Sequence, residues 1–266
     1  VSSSLNSLIA VWSFFFGSVI ASFLNVVIWR VPRGESIVRP PSHCPRCGAC
    51  IKWYQNIPIF SWLALGGKCA DCRGKISPRY IAIETLGGFL FMFAWLRFGL
   101  DAPFIWVWIA LMIVGSAIDF DHKLLPDFVT VGGMIYGLFL SLAIPLVFGQ
   151  APWTSLLWSV VGALSGLGVM WLIRTLGTLA FKREAMGMGD VLLMGAVGSV
   201  SGWDGVLFAL IVSSFLGSIG GVVAMLISRK CARHFEIPYG PYICLANLIH
   251  IFFGQEIVAW YLGILK

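Results

Sequence analysis

A chain of 266 residues that is 59% hydrophobic and 11% charged, with a mean hydropathy of +0.90, is not an ordinary water-soluble domain. The formal net charge of +6 does not mark a nucleic-acid binder, because half of the 18 Lys and Arg fall in one segment, Arg30 to Arg79, between apolar runs. Basic loops of that kind mark the cytoplasmic side of a membrane protein. The composition reads as an all-α polytopic membrane protein, and seven cysteines are too few and too clustered for a secreted disulfide scaffold.

The first run, Leu5 to about Trp29, is long enough to span a bilayer, which takes about 20 residues. It has no basic n-region before it and no A-x-A-like site after it, so it is expected to be a retained helix. Its basic flank, Arg30-Val31-Pro32-Arg33, sets the following loop on the cytoplasmic side and the N-terminus outside. The expected organisation is a first transmembrane helix over 1–29, a cytoplasmic zinc-ribbon-like domain over 30–80, and a multi-helix membrane domain over 81–266.

Residues 30–80 are the sizeable polar insertion, and Pro32, Pro40, Pro41, Pro45, Pro58 and Pro78 forbid a long helix there. Cys44-Pro-Arg-Cys47 and Cys69-Ala-Asp-Cys72 are two C-x-x-C knuckles. Four thiolates at that spacing suit tetrahedral Zn2+. Such a closed site is structural, since a catalytic zinc keeps an open position. The other reading is a pair of redox dithiols. His43 and Cys50 are not counted as ligands, and Cys231 and Cys244 read as packing or surface residues.

Seven further spans are expected, over 81–98, 104–118, 128–148, 155–173, 188–202, 205–227 and 242–263, which makes about eight in all. With that count Lys123, Arg174, Lys182, Arg183, Arg229, Lys230 and Arg233 fall on the cytoplasmic side. Asp101, Asp204 and Lys266 fall outside, and Arg97 snorkels from its span. The span over 188–202 is short and Gly-rich, so it is expected to lie partly within protein or to bend the bilayer.

Twelve Asp and Glu are few for 266 residues, and those at membrane depth need a reason. Asp119 ends an outside-to-inside helix and Asp190 begins an inside-to-outside one, so both lie at the cytoplasmic rim. Two carboxylates from separate helices can share a proton and activate water. That pairing predicts an intramembrane aspartyl protease built on Asp119 and Asp190. Asp121 competes with Asp119, and their spacing puts the two on different helix faces. Asp119 is preferred as nearer the span. Gly187 and Gly189, flanking Met188, allow close backbone approach, and Asp127 caps or orients the following turn. The bland alternative is that Asp190 only caps its helix. His122 reads as a solvated interfacial residue, and His234 and His250 carry no signal. Glu84 is not explained by apolar packing and is expected to receive an ammonium group or a basic side chain.

The ordered motifs SFLNVVIWRVP, PSHCPRC, NIPIFSW, GGKCADCRGKISPRYIAIE, IDFDHKLLPD, GMGD and IPYGPY cover nearly the whole chain. In them the chain closely resembles the type IV prepilin peptidases, bacterial leader peptidases of pilus and type II secretion systems. The resemblance implies cleavage of a short basic leader from prepilins or pseudopilins at the cytoplasmic face of the inner membrane, after Gly and before a Phe-like residue. It also implies N-methylation of the new terminus with S-adenosylmethionine, associated in the family with the large cytoplasmic loop. The family's catalytic aspartates carry over to Asp119 or Asp121, and to Asp190. No Gly-rich dinucleotide fingerprint is present, so the residues that bind the methyl donor are unknown. Glu84, Asp121 and Asp127 are candidates for leader recognition. The expected partners are prepilin-type substrates and membrane lipid, with no nucleic acid. The competing readings are a peptidase without methyl transfer, a membrane transporter, and a zinc-ribbon scaffold without catalysis.

Overall fold

Each apolar run of the sequence is helical in the computed structural model, which describes residues 3–143, 151–184, 186–228 and 238–264. The expectations for Arg229, Lys230, Cys231, Arg233, His234, Lys266 and the last residues of the 128–148 span lie outside the described residues. The helices are α1 (Ser3–Arg30), α2 (Phe60–Ala64), α3 (Pro78–Phe98), α4 (Ala102–His122), α5 (Asp127–Ala143), α6 (Pro152–Phe181), α7 (Met188–Ser228) and α8 (Gly240–Ile264). Among the described residues there is no strand, only isolated bridges at His43–Cys50 and Lys68–Lys75.

Among the described residues five stretches are long and apolar enough to cross a membrane: Ser4–Arg33, Pro78–His122, Pro152–Phe181, Met188–Leu226 and Gly240–Tyr261. Asp127–Ala143 is apolar but shorter. Two of the five are compound. Pro78–His122 is α3 and α4 joined by the 3-10 turn Gly99–Asp101. α7 runs for 41 residues but breaks at Gly202, where φ 73 and ψ −177 are open only to glycine.

The chain divides into two compact units, Val1–Val114 and Gly115–Lys266, with the division inside α4. In the first unit α1 and α3 run antiparallel along a seam of small residues. A Cβ on Gly87 would fall on Ala21, and one on Gly88 would meet Ser18 and Phe14. Asn25 donates to the Tyr80 carbonyl near one end of the pair, and Trp95 donates to Asn6 near the other. Such close backbone approach replaces the hydrophobic drive that lipid cannot supply between apolar helices. Ser77 caps α3 by accepting from the Arg79 N–H, and Pro78 occupies the first turn, where its missing N–H costs nothing.

The second unit is centred on α7. Gly162 and Gly166 of α6 face Gly198, Met194 and Gly195 of α7, and the Ser159 hydroxyl donates to the Ser199 carbonyl at 2.5 Å. Gly137 of α5 packs on Ser199, and Asn247 of α8 donates to the Ser201 hydroxyl at 2.8 Å. Glycine and serine therefore stand at contacts of the first half of α7 with α5, α6 and α8, and Asp190 lies at its start.

Candidate active site

α4 is apolar as far as Ile118 and ends in Asp119-Phe120-Asp121-His122. Lys123, with φ 53, turns the chain left-handed, and its N–H closes on the Asp119 carbonyl at 2.9 Å. Pro126 then offers its carbonyl to the N–H groups of Val129 and Thr130, which starts α5 at Asp127. Residues two apart on a helix point to different faces. Here Asp119 is buried, at 5% exposed, while Asp121 and Asp127 are exposed.

Asp190 lies in the first turn of α7 and is half-buried. Its carboxylate interacts electrostatically with that of Asp119. Gly189 lets the first turn of α7 pack closely on the turn between α4 and α5: a Cβ there would lie 3.1 Å from Leu125. Gly187 is exposed, and a Cβ there would sit 3.8 Å from Asp190 Oδ2. Arg174 of α6 steadies the segment before these glycines. Its Nε donates to the Met186 carbonyl at 3.0 Å, and its guanidinium meets exposed Glu184 at 3.5 Å. The backbone bond is the useful one, because exposed ion pairs contribute little.

Two elements of this site were not legible as such in the sequence. The Gly240 N–H, at the start of α8, donates to Asp119 Oδ2 at 3.0 Å, so the carboxylate caps a helix distant in sequence. A Cβ on Gly240 would lie 2.7 Å from the same oxygen. Cys244, one turn further along α8, is buried and interacts with both carboxylates. Its packing is thus at the acidic pair. The signal available was the glycine of Tyr239-Gly240-Pro241, which reads on its own as a turn.

Among the described residues no ammonium group meets Glu84. Its Oε2 accepts the Ile59 N–H at 2.8 Å, within the first unit.

The four knuckle cysteines come together, with all sulfurs of Cys44, Cys47, Cys69 and Cys72 within 4.8 Å of one another. The Cys44 and Cys72 sulfurs are 3.9 Å apart. Four sulfurs at about 2.3 Å from a tetrahedral zinc stand roughly 3.8 Å apart, so the donor set fits a metal ion. The knuckles share one design. The Cys44 and Cys69 N–H groups donate five residues ahead, to Ala49 and Gly74, and their carbonyls accept from Gly48 and Arg73. Gly48 and Arg73 both have positive φ. The backbone N–H groups of Cys47 and Arg46 hold the Cys44 thiol down, at about 6. Thiolates crowded this closely repel one another, and a dication removes that repulsion. His43 and Cys50 are outside the cluster.

Comparison with known proteins agrees with this layout. The family model described as "Bacterial Peptidase A24 N-terminal domain" matches residues 15–98, and the "Type IV leader peptidase family" model matches residues 106–222. The "Prepilin leader peptidase/N-methyltransferase" of Myxococcus xanthus is 39% identical over 231 residues, 86% of this chain and 67% of that protein. The protein of the same name from Legionella pneumophila is 33% identical over 273 residues, 93% of this chain and 92% of that one. The "Type 4 prepilin-like proteins leader peptide-processing enzyme" of Escherichia coli is 36% identical over 257 residues, 89% of this chain and 91% of that one. No solved structure matches. The chain belongs to the type IV leader peptidase family.

Proposed function

We propose that this protein removes the basic leader from type IV prepilins or pseudopilins, with Asp119 and Asp190 as its catalytic pair, and then methylates the new N-terminus. What supports the reading is that Asp119 at the end of α4 and Asp190 at the start of α7 are near enough for their charges to interact, with an α8 amide on Asp119. In that arrangement one carboxylate is ionised and takes a proton from water as the water attacks the scissile carbonyl. The other is protonated and gives its proton to the departing amine. The pair titrates as a unit. The Gly240 N–H orients the Asp119 carboxylate, and the burial of Asp119 against the exposure of Asp121 favours Asp119 as the reacting member.

Around this site the protein crosses the bacterial inner membrane eight times. At about 1.5 Å per residue, 45 residues from Pro78 to His122 extend about 67 Å, twice a hydrocarbon core of about 30 Å, and the Gly99–Asp101 turn divides them. The same reasoning divides α7 at Gly202. Both aspartates then lie at one rim, where the basic loops put the cytoplasm. A substrate with a basic leader and an apolar continuation meets the pair at that boundary. The four cysteines hold a structural Zn2+ that ties the two knuckles of the 30–80 domain together. S-adenosylmethionine supplies the methyl group, in keeping with the names of the relatives. Gly187 and Gly189 give the approach that Asp190 needs, and Asp127 orients the turn that Gly189 packs against.

The test is cleavage of a prepilin-type peptide by the purified protein in lipid, read by mass spectrometry with and without S-adenosylmethionine. Wild type and Asp121→Asn lose the leader mass, whereas Asp119→Asn and Asp190→Asn do not. A gain of one methyl mass appears only with the donor. Equal cleavage by all four proteins overturns the catalytic assignment. Cleavage without methyl gain leaves a peptidase alone.

A further inference from the structure

The insertion between α1 and α3 is basic at both ends but carries no charged residue between Lys52 and Lys68. This neutral stretch holds the 3-10 turn Trp53–Asn56 and the short helix α2. Three observations within the first unit set its height along α1 and α3. Glu84, which accepts the Ile59 N–H, lies about 9 Å into α3 from Pro78. Asn56, Ile57 and Pro58 share a cavity of about 510 Å³ with Val19, Phe23 and Val26 of α1. The Phe60 ring meets the Phe15 ring at a centroid distance of 6.2 Å. Phe15 lies about 22 Å from Arg30 along α1, close to the middle of the helix. A span of about 20 residues fills the hydrocarbon core, so these contacts reach below the headgroups.

The surface and the backbone of the stretch suit that depth. Phe60 and Leu63 are more than half exposed, as is Val19 of α1, with Phe15 nearly so, and their faces continue the apolar surface of the helix. Irregular backbone survives at membrane depth only when its polar groups are paired within the protein. The Ile57 N–H donates to the Ser61 hydroxyl at 2.9 Å, and that hydroxyl donates to the Tyr54 carbonyl at 2.9 Å. The Phe60 N–H closes a γ-turn on the Pro58 carbonyl at 2.6 Å. Ile59, at the centre of that turn, has φ 65, a conformation that a β-branched residue adopts only when held. The buried Glu84 carboxylate is what holds it.

We propose that Ile57–Leu65 is a re-entrant segment embedded in the acyl chains of the leaflet on the insertion's side, with Glu84 as the residue that positions it. Ile57, Phe60 and Leu63 face lipid. The segment is thereby a wall of the cavity beside α1, which runs from Val19 at membrane depth to Arg30 and Ser42 at its polar end. This rests on the membrane-spanning reading of α1 and α3, not on the aspartate pair.

A diazirine-bearing residue is placed in turn at Leu63, at Leu86 on the exposed face of α3, and at exposed Asp71 in the polar part of the insertion. Each full-length protein is reconstituted in phosphatidylglycerol–phosphatidylethanolamine vesicles, irradiated and digested, and its peptides are weighed. The expected result is a lipid-mass adduct at positions 63 and 86 and none at 71. Adducts at 86 but not at 63 overturn the proposal. Absence at 86 as well overturns it together with the membrane reading on which it rests. Glu84→Ala is expected to abolish the adduct at 63 while sparing that at 86. Glu84→Gln, whose amide oxygen still accepts the Ile59 N–H, is expected to keep both. Equal adducts at 63 in wild type and Glu84→Ala remove the positioning role from Glu84.

Discussion

Replacing Gly240 with alanine adds one carbon at the first residue of α8, directly against the acidic pair. That carbon would stand 2.7 Å from Asp119 Oδ2, 3.1 Å from its Cγ and 3.3 Å from its Cβ. Non-bonded heavy atoms settle at about 3.5 Å or beyond, so the carboxylate must retreat by roughly 0.5–1 Å. The Asp119 backbone cannot follow freely, since its carbonyl is tied to the Lys123 N–H. A displacement of about 1 Å at a reacting group costs on the order of 100-fold in rate, about 2.7 kcal/mol of transition-state stabilisation. The fold is disturbed less. Overpacking costs about 1–3 kcal/mol, and exchange of glycine for alanine in a helix returns up to about 1 kcal/mol.

The assay is single-turnover and steady-state cleavage of a prepilin-type peptide in lipid vesicles, with thermal unfolding measured alongside. Gly168→Ala is the control, because a Cβ there meets nothing within 4 Å. The expected outcome is a kcat about 100-fold lower for Gly240→Ala with KM little changed, since the lost interaction acts on the reacting carboxylate rather than on substrate held elsewhere. Gly168→Ala should cleave as wild type. A folded Gly240→Ala protein that cleaves at the wild-type rate would refute the reasoning that the α8 amide sets the working position of Asp119.

Purified protein should carry about one zinc per chain by elemental analysis, and Cys69→Ser should lower the content and open residues 42–76 to proteolysis. Full resistance to proteolysis after metal removal would count against a structural ion. The pH dependence of kcat/KM should be bell-shaped, because the pair needs one ionised and one protonated carboxylate. On the acid side both carboxylates are protonated and the base is lost; on the alkaline side both are ionised and the acid is lost. Asp121→Asn should keep the bell, and a flat profile would contradict a carboxylate pair. Gly198→Ala should destabilise the protein by about 1–3 kcal/mol, because its Cβ falls on the Gly162 carbonyl, while folded molecules cleave normally. An unfolding temperature equal to that of Gly168→Ala would show that α6 and α7 do not pack there.

Apolar runs and their breaks were legible because lipid demands them. The break expected between 202 and 205 coincides with Gly202, and the physical cause, a φ open to glycine, belongs to the backbone rather than to hydropathy. The cysteine knuckles were legible because ligand spacing is local, and sequence neighbours supply both halves of the site. Glu84 resisted the same treatment. Its donors are the N–H of Ile59, which has no residue type to recognise, and the hydroxyl of Ser22, which lies on α1 far from it in sequence. Gly240 resisted it for another reason, since it is far from Asp119 along the chain and only tertiary packing joins them.

Three glycines allow close packing around the candidate acidic pair, and each acts by omitting a side chain at a helix end or crossing. Gly189 lets the first turn of α7 close on Leu125, Gly240 brings an α8 amide to Asp119, and Gly115 lets α4 close on Val129 of α5. The turn that carries Asp121 and Asp127 is held from two sides by these contacts, yet both of its acids face outward. An added carbon at any of the three glycines is therefore expected to move Asp119 relative to Asp190, whereas exposed Asp121 is expected to tolerate exchange for Asn. The sensitivity of cleavage should follow the glycines of this site rather than its number of acids.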